Sequence, residues 1–161
     1  MPNPKRAADP IEFGLLNERI GYQLRRAFFR ANGLFARLAG EAGLAPGQYG
    51  VLKLVELNPG RSQTEVAAAA GLDRSSLTQL LDQLVRRGLI ERRPGRDRRT
   101  VSLHPTPAGA EAIVRAEPKV EAHEALMRAD LSDAEIAVLL ELLKRLQLEP
   151  ATAAAPGRPP S

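Results

Sequence analysis

A mainly α-helical chain carrying one small β-hairpin is the fold class this sequence predicts, on three observations. Apolar residues recur every three or four positions along most of the chain, the spacing of amphipathic helices. Five segments open on a proline, an aspartate or a Ser-x-x-Glu box, the marks of helix starts. One region alone, residues 89–104, shows two short extended runs around a Pro-Gly turn.

The elements follow in order. Residues 10–40 read as one long helix, with Phe13, Leu16, Ile20, Leu24, Phe28, Ala31, Phe35 and Leu38 on a common stripe. Gly14, Gly21 and Gly33 lower its intrinsic propensity, so tertiary contacts must hold it, and Gly40 and Gly43 end it. A second helix starts at Pro46, presents Tyr49, Leu52 and Val55, and stops at Asn58-Pro59-Gly60. Ser62 to Glu65 is a capping box for a short third helix that ends at Gly71. Asp73 caps a fourth, residues 74–87, with Leu77, Leu80, Leu81, Leu84 and Val85 inward and Gly88 as its left-handed stop. The hairpin comes next. Thr106 and Pro107 open a fifth helix, which Pro118 is expected to kink or break. A second box, Ser132 to Glu135, opens the last helix, with Ile136, Leu139, Leu140, Leu143 and Leu146 on one side.

With 161 residues, 43% hydrophobic and 26% charged, the chain fits one globular domain with arms. The Pro-, Ala- and Gly-rich ends, 1–10 and 149–161, read as flexible, and there is no internal repeat. There is no apolar run of the roughly 18 residues a membrane span needs, and the N-terminus lacks the apolar middle of a secretory signal. A cytoplasmic location, without membrane contact, is the expectation. Absence of cysteine rules out disulfides, thiolate nucleophiles and Cys-metal clusters. His104 and His123 make a poor metal set by themselves, and no catalytic triad stands out. Neither a metal, nor a cofactor, nor an enzymatic activity is expected.

Charge is concentrated. Residues 91–106 read ERRPGRDRRTVSLHPT. Residues 74–99 hold eight arginines against three acids, net +5, which leaves −1 for the remainder of a chain at +4. So local an excess suggests a polyanionic partner. The third helix, the Gly71-Leu72 turn and the fourth helix form a helix-turn-helix pattern, whose second helix can enter the DNA major groove. Its outward residues are Arg74, Ser75, Ser76, Thr78, Gln79 and Asp82. Arg and Gln can each make two bonds to a base edge, and short hydroxyls do not block entry. The arginine-rich hairpin follows where a wing sits, and arginines suit a narrow, electronegative minor groove. Arg86 and Arg87 either join this surface or complement a helix C-terminus.

These residues resemble the MarR family of bacterial transcription regulators. QTEVAAAAGLDRSSLTQLLDQLVRRGLIERR is similar to its helix-turn-helix and RPGRDRRTVSLHPTPAG to its wing, with the Asp-x-Arg signature at Asp97-Arg98-Arg99. The likeness runs over residues 11–148. It implies a winged helix-turn-helix homodimer, joined through its N- and C-terminal helices, on a pseudo-palindromic double-stranded operator. The divisions would be an arm at 1–10, a dimerisation helix at 11–44, the DNA-binding domain at 45–106, dimerisation helices at 107–148 and a tail at 149–161. Ser75, Ser76, Thr78 and Gln79 match recognition-helix positions, Arg99 the minor-groove arginine and Asp97 its orienting partner. Arg96 and Arg98 add charge at the tip. Ser62, Gln63 and Thr64 begin the supporting helix, where backbone amides can meet a phosphate.

The resemblance further implies a repressor that leaves DNA when a small aromatic anion binds between dimer helices and helix-turn-helix. The chain lacks the thiol of the peroxide-sensing branch and the tryptophan of the urate-sensing one. An aromatic carboxylate or its coenzyme A thioester remains as the effector. Tyr22, Arg25, Arg26 and Phe29, with Tyr49, are candidate pocket residues, because aromatic faces beside arginines suit a flat anion. The same residues also fit a plain core with solvated arginines. Two other classes stay open: a winged-helix module that binds protein, and an enzyme acting on a small aromatic substrate.

Overall fold

A computed structural model describes residues 11–39, 43–95 and 100–147, in six α-helices, one 3₁₀ turn and two strands. They fall into two units, residues 1–123 and 124–161. The first unit holds the 3₁₀ turn Gly14–Glu18, helices α1 (Ile20–Ala39), α2 (Pro46–Leu57), α3 (Gln63–Ala70) and α4 (Arg74–Arg86), strands β1 (Ile90–Pro94) and β2 (Val101–Pro105), and most of α5 (Pro107–Arg128). The second holds the last turn of α5 and α6 (Asp133–Gln147).

Local chemistry sets the helix starts. Ser62 and Glu65 close a reciprocal box at α3: Glu65 N–H donates to Ser62 Oγ at 3.3 Å and Ser62 N–H to Glu65 Oε2 at 2.9 Å. Ser132 and Glu135 repeat it at α6, with 3.4 and 2.8 Å. Asp73 caps α4 by accepting from the amides of Ser75 and Ser76. Thr106 Oγ1 accepts from Gly109 N–H at 3.0 Å at the start of α5 and donates to the Gly88 carbonyl at 2.6 Å. Gly71 and Gly88 take the left-handed backbone that turns the chain after α3 and α4.

Two expectations need correction. The first helix is not continuous from residue 10. A 3₁₀ turn precedes it, Gly14 has φ +50°, Arg19 is extended, and α1 begins only at Ile20. The apolar stripe runs on across this break, which is why periodicity concealed it. Pro118, in turn, does not break α5, which runs from Pro107 to Arg128. The missing Pro118 N–H removes one helical bond, to the carbonyl of Val114, a residue on the exposed side of the helix where water can take its place.

The core of the first unit lies under the helix-turn-helix. Val51, Leu52 and Val55 of α2, Val66 of α3, and Leu77, Leu81 and Leu84 of α4 are buried with Leu89, Ile90, Leu103 and Ile113. The antiparallel pairing sets Ile90 opposite Pro105 and Pro94 opposite Val101. Ile90, Ser102 and Leu103 are buried, while Arg92 and Arg93, on opposite faces of β1, are both exposed. The α2–α3 turn extends this sheet: Gly60 N–H donates to the Leu103 carbonyl at 2.8 Å and Leu103 N–H to the Arg61 carbonyl at 2.9 Å. The hairpin is thus pinned to the entrance of α3. Helix α5 approaches so closely that a Cβ on Gly109 would stand 2.1 Å from the Leu89 carbonyl oxygen, a contact only glycine permits. In both units, apolar side chains of α1 and α6 remain on the surface, Phe28, Phe29, Leu139, Leu140 and Leu142 among them.

Candidate nucleic-acid interface

Burial of Leu77, Leu81 and Leu84 turns the opposite side of α4 outward. Arg74, Ser75, Thr78 and Gln79 are exposed there, and Ser76 is half-buried. Arg74 and Thr78 stand one turn apart, as do Ser75 and Gln79, so they share neighbouring strips of one face. A groove of about 580 Å3 runs beside this face, with Gln63, Thr64, Arg74 and Thr78 on one side and Thr100 and Val101 of the hairpin on the other. Ser62 also lines it. The structure therefore brings the α3 candidates together with Arg74 and Thr78 of α4 on one concave surface; Ser75, Ser76 and Gln79 do not line it. Arg86 is exposed in the last turn of α4, farther along the helix. Arg96, Asp97, Arg98 and Arg99 lie outside the described residues.

Ion pairs hold part of the basic surface in place. Arg92 of β1 donates to Asp82 of α4 at 2.7 Å, which ties the hairpin to the helix, and Arg93 pairs with Glu91. Asp82, an outward residue of α4, thus braces the wing. Arg87 reaches back to the start of α2, donating to Gln48 Oε1 at 3.0 Å, while Gln48 Nε2 donates to Gln83 at 2.7 Å. Arg87 is therefore a strut between helices.

At the helix starts, carboxylates occupy much of what a phosphate would use. The Ser62 amide and hydroxyl, then the Arg61 guanidinium, lower the Glu65 carboxyl to a pKa of about 2. At α4, the Ser75 and Ser76 hydroxyls, joined by the Ser76 amide, hold the Asp73 carboxyl far below the usual carboxylate range. The amides of Ser75 and Ser76 are thereby taken. At α3 the amides of Gln63 and Thr64 come before the box closes on Glu65.

The five pocket candidates fall into two places. Tyr22, Arg25, Arg26 and Phe29 gather on α1, where the Arg25 guanidinium stands 5.6 Å from the Phe29 ring centre and Arg26 5.2 Å from that of Phe13. Tyr49 lies against the main core, its hydroxyl donating to Glu117 Oε2 at 3.1 Å. Burial, then that carboxylate, push its pKa up.

A different cavity, which the sequence did not suggest, has the chemistry of an anion site. It encloses about 230 Å3 between Phe35, Leu44, Ala112 and Ala116 on its apolar side and Arg87, Arg115 and Lys119 on its cationic side. Its residues come from four separate segments. The one signal in the sequence is the i, i+4 pairing of Arg115 with Lys119 beside Ala112 and Ala116. His123, near this cavity's Phe35, stacks edge-on against that ring at 5.4 Å, and its Nε2 donates to the Ala31 carbonyl at 3.1 Å. No three His, Asp or Glu side chains gather as metal ligands among the described residues, and no helix among them is long and apolar enough to cross a membrane.

Known proteins share this architecture. The MarR family pattern matches residues 42–100, from just ahead of α2 through α3, α4 and β1 to the residue before β2. A regulatory protein assigned to the hcr operon of Thauera aromatica is 42% identical over 135 residues, spanning 83% of this chain and 81% of that protein. The transcriptional repressor CouR, bound to a 23-mer DNA duplex, superposes with a TM-score of 0.78 at 34% identity over 87% of this chain and 100% of its own. CouR bound to p-coumaroyl-CoA gives 0.77 at 33% identity, over 87% and 99%. BpsR of Bordetella bronchiseptica, whose DNA binding is regulated by 6-hydroxynicotinic acid, gives 0.74 at 25% identity, over 80% and 98%. With its helix-turn-helix, its hairpin wing and relatives that cover more than four fifths of its length, this chain belongs to the MarR family of transcriptional regulators.

Proposed function

We propose that this regulator is a homodimeric repressor, which sets α4 in the major groove and its hairpin against the minor groove of a pseudo-palindromic operator. The observation that carries the reading is the shared concave surface of α3, α4 and the hairpin, with Gln63, Thr64, Arg74 and Thr78 on it and no element of the described chain covering it. The contacts would come from Ser62, Gln63, Thr64, Arg74, Ser75, Ser76, Thr78, Gln79 and Arg86, together with Arg96, Asp97, Arg98 and Arg99 of the wing tip. The apolar faces of α1 and α6 would be covered by the second subunit, in a cytoplasmic protein. Two copies of α4 one duplex turn apart, about 34–36 Å, would then meet two half-sites.

The effector would be an aromatic carboxylate or its coenzyme A thioester. Phe35 and Leu44 would take an aromatic ring, and Arg87, Arg115 and Lys119 its negative charge. That CouR binds an aryl-CoA and BpsR responds to an aromatic acid supports this class. Arg87 also braces α4 against α2, so a ligand that recruits it would disturb the placement of the reading helix. A bias of a few kcal/mol between two dimer forms is sufficient for release. Titration of the chain on its own upstream DNA, with a panel of aryl acids and aryl-CoA thioesters added, tests this. Release by at least one of them is expected, and Arg115→Ala should blunt it. Indifference to the whole panel would overturn the effector assignment.

A further inference from the structure

The hydroxyls of α4 are committed on their donor side. Ser75 Oγ donates to Asp73 Oδ1 and Ser76 Oγ to Asp73 Oδ2, each at 2.6 Å. Thr78 Oγ1 donates to the Arg74 carbonyl at 2.7 Å. Chemistry fixes these directions, because an ionised carboxylate and a peptide carbonyl have no proton to give. The Asp73 carboxyl, collecting four such bonds, is held ionised. A hydroxyl has one proton and two lone-pair sites. Each of the three therefore offers an outside partner a lone pair only.

That matters on a duplex. Phosphate oxygens, guanine O6 and N7, adenine N7 and thymine O4 all accept hydrogen bonds. The groups that donate in the major groove are the N6 amino group of adenine and the N4 amino group of cytosine. Ser75 and Thr78 are exposed and stand three residues apart on one face, while Ser76 is half-buried. We propose that Ser75 and Thr78 form an acceptor pair that selects adenine or cytosine amino groups in the half-site and makes no phosphate contact. The donors on the same face are left to Arg74 and Gln79. The selectivity rests on α4 being the DNA-reading helix. Turning either hydroxyl proton toward a phosphate would strip a bond from Asp73 or from the Arg74 carbonyl, and Asp73 would set its charge against that phosphate.

The test begins with a duplex that the wild-type chain selects from a random 30-base-pair pool. Single adenines are then replaced by purine and single cytosines by 2-pyrimidinone, which removes one amino group at a time. Single phosphates are replaced by methylphosphonates in a parallel series. At one or two positions per half-site, amino-group removal should weaken wild-type binding roughly three- to tenfold. The same replacement should cost Thr78→Val or Ser75→Ala almost nothing, and no methylphosphonate should show such coupling. Circular dichroism of each variant checks that α4 is intact. Coupling of either hydroxyl to a phosphate, or to no amino group at all, would overturn the acceptor pair while leaving DNA binding standing. Failure of the wild-type chain to select any duplex would overturn both.

Discussion

Helices α4 and α1 are both amphipathic, yet they meet different fates. The leucines of α4 vanish into the core, with Leu81 and Leu84 at 0% exposure. On α1, Phe28 and Phe29 stay 63% and 61% exposed. The periodic pattern is alike in the two; what differs is whether one chain supplies the covering surface. For α4 it does, through α2, α3 and the hairpin. For the N-terminal part of α1's apolar side, Ile20 to Phe28, it does not, although Phe35 farther along is buried; within the second unit Leu139, Leu140 and Leu142 of α6 are likewise exposed. Contiguous exposed apolar surface of this kind marks an interaction site. A hydrophobic stripe thus forecasts burial without saying by what.

The largest effect should come from the buried side of this contrast. Leu81→Ala removes a fully buried side chain and should cost about 2–5 kcal/mol in urea denaturation. Leu139→Ala, on the exposed face of α6, should cost well under 1 kcal/mol once the chain is monomeric. Equal losses would erase the distinction.

Next in size is the response to chain concentration. If a second subunit covers α1 and α6, the wild-type melting temperature should rise with protein concentration. The pair Phe28→Ser and Leu139→Ser should remove that dependence and sediment as a monomer. A wild-type chain that sediments as a monomer at micromolar concentration would contradict the proposed dimer.

The smallest effect concerns the capping box of α3. Glu65 has an ordinary pKa of 4.5 and a folded value of about 2. A depressed carboxyl stabilises the fold fully above its unfolded pKa, and the contribution is lost as pH falls toward the folded one. Stability should therefore decline between pH 4.5 and 2, by a modest amount because Glu65 is exposed and screened. Glu65→Gln should flatten that part of the pH profile in chemical denaturation, since the amide still caps but does not titrate.

The sequence made the reading unit legible because its signals are local. Asp73, the Ser62–Glu65 box, Gly71 and Gly88 each decide a cap or a turn with neighbours a few residues away. The hairpin forms in the expected region, but Pro94 belongs to β1 opposite Val101 and Gly95 N–H donates to the Thr100 carbonyl, so the Pro-Gly pair is not its turn. What stayed hidden depends on distant partners. The break at Arg19 is invisible to a stripe that continues across it, and Pro118 sits in α5 where Val114 faces solvent. Ser75 and Ser76 read as free hydroxyls until Asp73 is seen to take both protons. The cavity between Phe35, Arg87, Arg115 and Lys119 is assembled from segments up to 84 residues apart, so no window along the chain contains it.

Salt dependence of DNA binding tests the central claim most directly. Gel-shift titration of the chain on its own upstream duplex should give an affinity that falls by roughly 10³ or more between 50 and 200 mM salt, as several cation–phosphate contacts require. Arg74→Ala should make that slope shallower. A complex that fails to form in dilute buffer, or one whose affinity ignores salt, would contradict the assignment of α3, α4 and the hairpin as a DNA-reading surface.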